Sequence, residues 1–220
     1  MLNFHDLLPY TGQFVMGLLT TVELTLLSTV IGLMFGAALA ASRQYGPGWL
    51  VAFVAIYVEL IRNTPFIVQL FFVFFGLPAF GIKLSAWEAG LLALILNLAA
   101  YSTEIIRSGL AATPIGQWEA GKVLGLSFSQ TFFRVVLTPA IEKIYPALTS
   151  QCIIVMLGSA VLSQISVQDL TYAANLVQSR NFRSFESYLV TAALYLLLAI
   201  AMRKVFDLIG QRLFSYRSST

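Results

Sequence analysis

Ionisable residues are scarce in this chain of 220 residues. Only 10% of the residues are charged, whereas soluble domains contain about 25%, and 58% are hydrophobic with a mean hydropathy of +0.82. A water-soluble fold of this length could not bury so much apolar surface. The composition therefore excludes a soluble domain and predicts an all-α membrane protein, with residues 1–220 forming one transmembrane domain.

Cysteine and histidine are also almost absent, since Cys152 and His5 are the single examples of each. One cysteine cannot form an intramolecular disulfide or a cysteine-based metal site. One histidine excludes the two-histidine zinc helix of metalloproteases and argues against a Ser–His pair within the membrane. The net charge of +3 is spread thinly. We therefore expect no metal site and no nucleic-acid partner.

A phosphate-binding loop of the form G-x-x-x-x-G-K-[ST] is missing. The chain is therefore expected not to be an enzyme and to hold no cofactor of its own. If it performs active transport, the energy must come from elsewhere.

Positive charge is missing from the N-terminus, because the first basic residue is Arg43. A cleavable signal peptide would begin with a positive segment. We therefore expect the N-terminus to be retained and to lie outside.

Five apolar segments are long enough to cross a bilayer as helices of about 20 residues. Five crossings place the two termini on opposite sides of the membrane. The predicted spans are approximately Phe14–Ala41, Trp49–Pro78, Glu88–Ile106, Ile144–Ile165 and Tyr188–Met202.

The distribution of lysine and arginine orients these spans. With the N-terminus outside, nine basic residues fall on the inner side and three on the outer side, so the C-terminus is predicted to be cytoplasmic. The inner set is Arg43, Arg107, Lys122, Arg134, Lys143, Arg203, Lys204, Arg212 and Arg217, the outer set is Lys83, Arg180 and Arg183, and Arg62 is unassigned.

The inner stretch GQWEAGKVLGLS, Gly116–Ser127, interrupts the hydrophobic pattern. Thr113 followed by Pro114 is typical of a helix start, and Gly125 of a helix end. Ser127 and Gln130 have capping-box spacing. The segment, about residues 113–131, therefore predicts two short helices joined by a bend.

The first short helix carries an apolar ridge that something must cover. Ala120, Val123 and Leu124 share one face, with Trp118 at its edge, and Glu119 and Lys122 flank them. Lipid headgroups, the rest of the chain or a partner protein could cover this ridge. A helix lying on the membrane surface is the alternative to partner docking.

Several polar and charged residues lie inside the second span. Ionisable groups at this depth cost about 2.5–3.5 kcal/mol each and therefore need partners. Glu59 and Arg62 can pair, and Pro65 frees backbone groups that could face a water-filled path. We expect either a pathway or gate, or a structural pair that maintains a kink. The predicted pathway residues are Glu59, Arg62, Asn63, Thr64, Pro65, Gln69 and Glu104.

Charged and polar groups in three other spans have two interpretations each. Glu23 is either a gate residue or a structural hydrogen-bond partner, and Glu104 with Arg107 forms either an interfacial pair or a brace to the inner segment. In the fourth span, the side chains suit an amino acid's carboxylate and ammonium groups or bond neighbouring helices. The predicted substrate-binding residues are Ser159, Ser163 and Gln164.

Four motifs resemble the permease subunits of ABC importers, in particular the polar amino acid branch that includes the histidine, glutamine and arginine permeases. Glu119, Ala120 and Gly121, followed by Gly125, resemble the family's EAA loop. The other stretches are YVELIRNTPFIVQLFFVFFGLP (57–78), AYSTEIIRSGL (100–110) and SQISVQDLT (163–171).

The resemblance implies a type I ABC importer permease fold in a bacterial cytoplasmic membrane. It implies two ATPase subunits that bind ATP and Mg, a second permease subunit, identical or related, and an extracytoplasmic solute-binding protein, besides membrane lipid. The loop would dock on the ATPase through Glu119, Ala120, Gly121, Leu124, Gly125 and Leu126.

The chain departs from the family pattern at two informative places. Gly121 replaces an alanine, and we expect it to make the short helix more flexible. Gly158, Ser159 and Ala160 stand where many members have a triplet that begins with aspartate, so a site for cationic substrates is not carried over.

An ion-coupled secondary transporter is the competing class, with Glu23, Glu59 and Glu104 as proton or cation sites. Carriers of that kind usually show two similar halves, and the sequence has no evident internal repeat.

Overall fold

The structure, a computed structural model, describes residues 2–214, and Arg217 of the predicted inner set lies outside them. Within that range the chain is almost entirely helical and contains no β-strand. The helices are α1 (Thr11–Tyr45), α2 (Gly48–Arg62), α3 (Phe66–Phe71), α4 (Ala86–Ala111), α5 (Ile115–Val123), α6 (Phe128–Thr131), α7 (Leu137–Gly158), α8 (Leu170–Asn181) and α9 (Ser184–Leu213).

Short turns of other helix types extend several of these elements. A 3₁₀ turn (His5–Tyr10) precedes α1, and π and 3₁₀ turns (Phe72–Gly76 and Leu77–Phe80) prolong α3. A π turn (Phe132–Val136) joins α6 to α7, and a 3₁₀ stretch (Ser159–Ile165) continues α7.

Four helical stretches are long and apolar enough to cross a membrane. A fifth crossing exists if α2 and the α3 segment form one span, and these two are bent by 113° at the break between Arg62 and Phe66. Four of the five predicted crossings therefore coincide with such helices, the second predicted crossing corresponds to the bent pair, and the predicted break at Pro65 is confirmed.

Helix α4 is the centre of the packing, because it contacts α1, α2, α3 and α7. Its start is fixed by Ser85, whose hydroxyl accepts from the Glu88 N–H while the Glu88 carboxylate accepts from the Ser85 N–H. Leu94 and Leu98 of α4 and Leu24 of α1 are almost fully buried in the same core.

Small residues let α1 lie unusually close to α4. A methyl group on Gly36 would lie 1.9 Å from the Ser102 Oγ and 3.0 Å from the Ala99 carbonyl oxygen. The Thr103 hydroxyl donates to the Gly36 carbonyl at 3.2 Å across this contact. Close backbone approach and such hydrogen bonds stabilise helix pairs in lipid, where apolar burial gives little driving force.

The predicted fourth span was too short. The helical stretch begins at Phe128 and runs to Ile165, although it contains Pro139 and Pro146. The π turn immediately before Leu137 widens the helix just ahead of the first proline, and local adjustments of this kind re-satisfy backbone groups that proline leaves unpaired. Helix α6 therefore continues into the fourth span through α7, and α5 precedes it.

The segment between the fourth and fifth spans contains a helix of its own. Residues 170–181 form α8, which packs against α1 and α9. Ala174 and Val177 of α8 are fully buried there.

Candidate functional site

The break in the second span is held open by a buried amide. The carbonyl of Ile61 would normally accept from the N–H four residues on, but that residue is Pro65, which has none. Instead the Gln69 Nε2 donates to the Ile61 carbonyl at 2.7 Å and to the Thr64 carbonyl at 3.0 Å. Gln69 is only 9% exposed, so its side chain substitutes for the missing backbone donors at membrane depth.

The side-chain amide of Asn97 holds the Gln69 amide in position. The Asn97 Nδ2, about midway along α4, donates to the Gln69 Oε1 at 3.0 Å. This bond orients the Gln69 side chain, so that its NH₂ faces the broken backbone. The break is therefore tied directly to the central helix.

A half-open cavity of about 310 Å³ lies between α4, α7 and this break with the start of α3. Its volume falls at the lower end of the ~300–1,000 Å³ typical of small-molecule sites. We call it the amide cavity. Its lining consists of Thr64, Phe66, Leu94, Asn97, Tyr101, Gln151, Ile154, Val155 and Gly158.

One polar side chain that lines the amide cavity has no protein hydrogen-bond partner. Gln151 is 8% exposed as a residue, and no hydrogen bond joins its side-chain amide to another of residues 2–214. Its amide is reached from the cavity rather than sealed in the core. The Gln151 amide can therefore serve a polar molecule that enters the cavity.

The expected ion pair between Glu59 and Arg62 is not present in the described part of the chain. The Arg62 guanidinium lies 5.7 Å from the centre of the Tyr101 ring, so it pairs with an aromatic face of α4 instead. The Glu59 side chain is exposed, and its carbonyl accepts from the Asn63 backbone and amide nitrogens. Helix α2 ends at Arg62, and Asn63 is its C-terminal cap.

Glu104 does pair with Arg107, as expected, and also with a residue that sequence analysis missed. The Arg107 guanidinium donates to both carboxylate oxygens, and the Arg43 Nη1 donates to Glu104 Oε2 at 2.9 Å. The pair therefore braces α4 to the end of α1, rather than to α5. A carboxylate that accepts from two arginines is poorly suited to carry protons.

The other predicted site residues lie apart from the amide cavity. Glu23 is on an exposed face of α1, and Gln164 is exposed. The hydroxyls of Ser159 and Ser163 donate to the Met156 and Ala160 carbonyls of their own helix. Substrate contact by Ser159, Ser163 and Gln164 stays a prediction, but none of the three lines the cavity.

The two predicted inner helices and their bend are confirmed. Gly125 has φ = +69°, the Leu126 N–H donates to the Gly121 carbonyl and the Gly125 N–H to the Lys122 carbonyl. This is the Schellman arrangement that ends helices at glycine. Ser127 and Gln130 form the expected capping box.

The start of α5 differs from the expected start by one residue. The helix begins at Ile115, and Pro114 occupies the capping position that was assigned to Thr113. The Thr113 hydroxyl donates backwards to the Gly109 carbonyl at the end of α4, so it closes the preceding helix.

None of residues 2–214 covers the apolar ridge of α5. Val123 is 87% exposed and Leu124 73% exposed, and Ala120 and Glu119 are exposed beside them. Of the three possible covers, the described part of the chain is therefore excluded, and lipid or a partner remains. Trp118, expected at the edge of this ridge, turns to the opposite side.

Aromatic contacts join α5 to the membrane helices. Trp118 stacks on Phe128 and Phe132 with ring centres 5.3 and 6.3 Å apart. Tyr45 at the end of α1 meets the same two rings edge-on at 6.2 and 6.3 Å. These rings therefore link α5 to the end of α1 and to the π turn that precedes α7.

Gly121 has a packing role. A methyl group at this position would lie 2.3 Å from the Thr131 Cγ2 and 2.5 Å from its Oγ1, far inside contact distance. Glycine thus allows α5 and α6 to touch, and Gly121 itself is buried. The expectation of extra flexibility stays a prediction, but the contact gives a different reason for the glycine.

A buried carboxylate anchors the outer end of the fold. Asp169 is fully buried and caps α8 by accepting from the Tyr172 N–H at 2.8 Å, while the Tyr195 hydroxyl lies 3.4 Å from its other oxygen. Burial raises the pKa of Asp169 from 3.8 to about 7, although these hydrogen bonds oppose the shift. Its neighbour Leu170 donates to the Thr21 hydroxyl of α1 at 3.1 Å.

Most of the cavity's polar groups belong to residues that were not among the predicted site residues. These are Asn97, Tyr101 and Gln151. The available signal was an isolated amide within each apolar run, in LILNLAA and TSQCIIV. Only the packing of α4 against α7 brings them to one cavity.

The comparisons with known proteins agree with this geometry. The family model described as "binding-protein-dependent transport system inner membrane component" matches residues 28–215. The L-cystine transport system permease protein TcyB of Bacillus subtilis (strain 168) is 33% identical over 201 residues, which are 91% of this chain and 86% of that protein. The probable amino-acid ABC transporter permease protein y4tG of Sinorhizobium fredii is 34% identical over 188 residues, 86% of this chain and 81% of that protein.

Solved structures show the same fold. A chain from the "crystal structure of an amino acid ABC transporter with histidines" superimposes with a TM-score of 0.89 at 35% identity, covering 96% of this chain and 99% of that one. A chain of the inward-facing MetNI methionine ABC transporter gives 0.77 at 19% identity, covering 94% and 98%, which supports the fold alone. The predicted permease fold is confirmed.

Replacing Gly121 by alanine should separate α5 from α6, because the added methyl group has no room beside Thr131. We expect a loss of about 1–3 kcal/mol of local packing, as for other overpacked sites. Thr131→Ala should partly reverse it, since the Thr131 hydroxyl has no hydrogen-bond partner among the described residues. Protease cleavage within residues 113–131 measures the effect, and equal protection of Gly121→Ala and wild type would contradict it.

The stability of the purified protein should fall as pH rises from about 4 to about 7. Because the folded-state pKa of Asp169 is raised above its unfolded value of 3.8, the folded state binds the extra proton, and this stabilisation is lost through about pH 7. Each unit of difference between the folded and unfolded pKa corresponds to about 1.4 kcal/mol of unfolding free energy. Melting temperatures of wild type and Asp169→Asn measure it, with Asp207→Asn, an exposed acid, as control. An unchanged pH slope in Asp169→Asn would refute this role.

Proposed function

Because the chain belongs to the inner membrane components of binding-protein-dependent transport systems, we propose that it carries amino acids or closely related polar solutes as a permease subunit. The single observation that carries the proposal is the uncovered ridge of α5, joined rigidly to the membrane helices. Such a ridge needs a partner, and an ATPase subunit is the partner that ABC permeases have. The relatives named for cystine and amino acid transport support the solute class.

The coupling step follows from the contacts of α5 and α6, the segment at about residues 113–131. Glu119, Ala120, Gly121, Leu124, Gly125 and Leu126 form the proposed docking element. Closure of the ATPases on ATP and Mg would move α5 as a unit. The Trp118 stack and the unbroken helix from Phe128 would pass that movement to α1 and α7.

The solute path is proposed to run through the amide cavity. The cavity is half-open within one chain, so a second permease subunit, identical or related, would complete its wall. Arg62, Asn63, Thr64, Pro65 and Gln69 belong to the break that forms this cavity. Glu59 and Glu104 lie on the same two helices, but Glu104 serves as a brace.

The orientation is proposed from the charge count, with the N-terminus outside and α5 in the cytoplasm. A solute-binding protein would then deliver the solute on the side of α8. Ser163 and Gln164 lie towards that end of the fourth span and could contact solute at its entry, with the buried Ser159 placing that stretch of helix.

Reconstitution into proteoliposomes tests the proposal against the secondary-transporter alternative. Uptake of a radiolabelled amino acid mixture should require the ATPase subunits, internal ATP and the binding protein, and should be insensitive to ionophores. Uptake by this chain alone, driven by an ion gradient, would overturn the proposal.

The variant Leu124→Asp should uncouple the complex, since it places a charge on the proposed docking ridge. We expect ATP-driven uptake to fall at least about tenfold, equivalent to about 1.4 kcal/mol. Ile115→Asp is the matched control, because Ile115 is equally exposed, at 74% against 73%, on another side of the same helix. Equal uptake by Leu124→Asp and wild type, at equal protein levels, would contradict the docking role.

A further inference from the structure

The polar groups of the amide cavity are all uncharged. Its lining contains two amides, a threonine hydroxyl and a tyrosine hydroxyl, and no acidic residue. The nearby carboxylate of Glu104 already accepts from two arginines. A cationic side chain that entered this cavity would therefore meet no carboxylate able to pair with it.

An arginine lies beside the cavity. The Arg62 guanidinium lies over the ring of Tyr101, which lines the cavity. Since ionic interactions strengthen where water is scarce, Arg62 attracts a carboxylate and repels a second cation at this depth.

The acceptors that remain available suit an ammonium group. Asn97 uses its NH₂ on Gln69, which leaves its carbonyl oxygen for a ligand, and Gln151 has its whole amide available. Two carbonyl oxygens and one guanidinium match the α-ammonium and α-carboxylate of an amino acid. The NH₂ group of Gln151 is then left to donate a hydrogen bond to an uncharged polar side chain of the solute.

We propose that the amide cavity selects zwitterionic amino acids with uncharged side chains over cationic ones, and that Gln151 determines this selectivity. The inference rests on the proposed function, since it takes the cavity to be the solute site. A carboxylate at position 151 would supply the counter-charge that a cationic side chain needs, so Gln151→Glu should reverse the preference.

Direct binding to the permease–ATPase complex in nanodiscs tests this, without a binding protein that would impose its own selectivity. The probes are tritiated L-glutamine and unlabelled L-arginine as competitor, at about pH 8, where a carboxylate is charged. Wild type should bind glutamine and prefer it to arginine by at least about tenfold, equivalent to about 1.4 kcal/mol. Gln151→Glu should reverse that ratio, and Gln151→Leu should lose glutamine binding.

Ser150→Ala is the control, because Ser150 is exposed on the same helix and does not line the cavity. The inference is overturned if wild type binds no glutamine, if arginine competes equally well, or if Gln151→Glu leaves the ratio unchanged. Failure of ATP-driven uptake in proteoliposomes would instead remove the proposed function. ATP-driven import of arginine by wild type would leave that function standing and refute the selectivity alone.

Discussion

The structure depends on one side-chain amide inside the membrane that replaces a missing backbone hydrogen-bond donor. Pro65 leaves the Ile61 carbonyl without its helical partner, and lipid offers no water in its place. The Gln69 amide supplies the donor, and Asn97 of α4 holds that amide in position. The span can therefore turn by 113° at this depth without exposing unpaired backbone, and the amide cavity lies between this turn, α4 and α7.

The same helices that form the cavity also reach the inner segment. α4 passes the cavity and is braced to α1 by Arg43 and Glu104, while α7 runs from the cavity to the π turn behind α6. The aromatic cluster around Trp118 then closes the connection to α1. On the proposed function, a displacement of α5 would reach the walls of the cavity through these contacts, as an ATP-driven permease requires.

The sequence was informative wherever a local rule dominates. The length of the apolar segments located the spans, and Pro65 located the break. Gly125 and the Ser127–Gln130 pair located the bend. Each of these signals acts within a few residues. The sequence was uninformative where partners come from distant helices. Arg62 turned to Tyr101 rather than Glu59, and Gln151 became a cavity residue through the packing of α7 on α4. The reason for Gly121 likewise appears only when Thr131 lies against it.

The distance between two spin labels placed on either side of the break, measured by double electron–electron resonance, tests the central role of Gln69 most directly. Spin labels at Ile56→Cys and Phe75→Cys, both exposed, in a Cys152→Ala background report the bend between α2 and the α3 segment. We predict one narrow distance distribution for the labelled protein that keeps Gln69 and for the control variant Gln44→Leu. For Gln69→Leu we predict a broad or shifted distribution. An unchanged narrow distribution in Gln69→Leu would contradict the account.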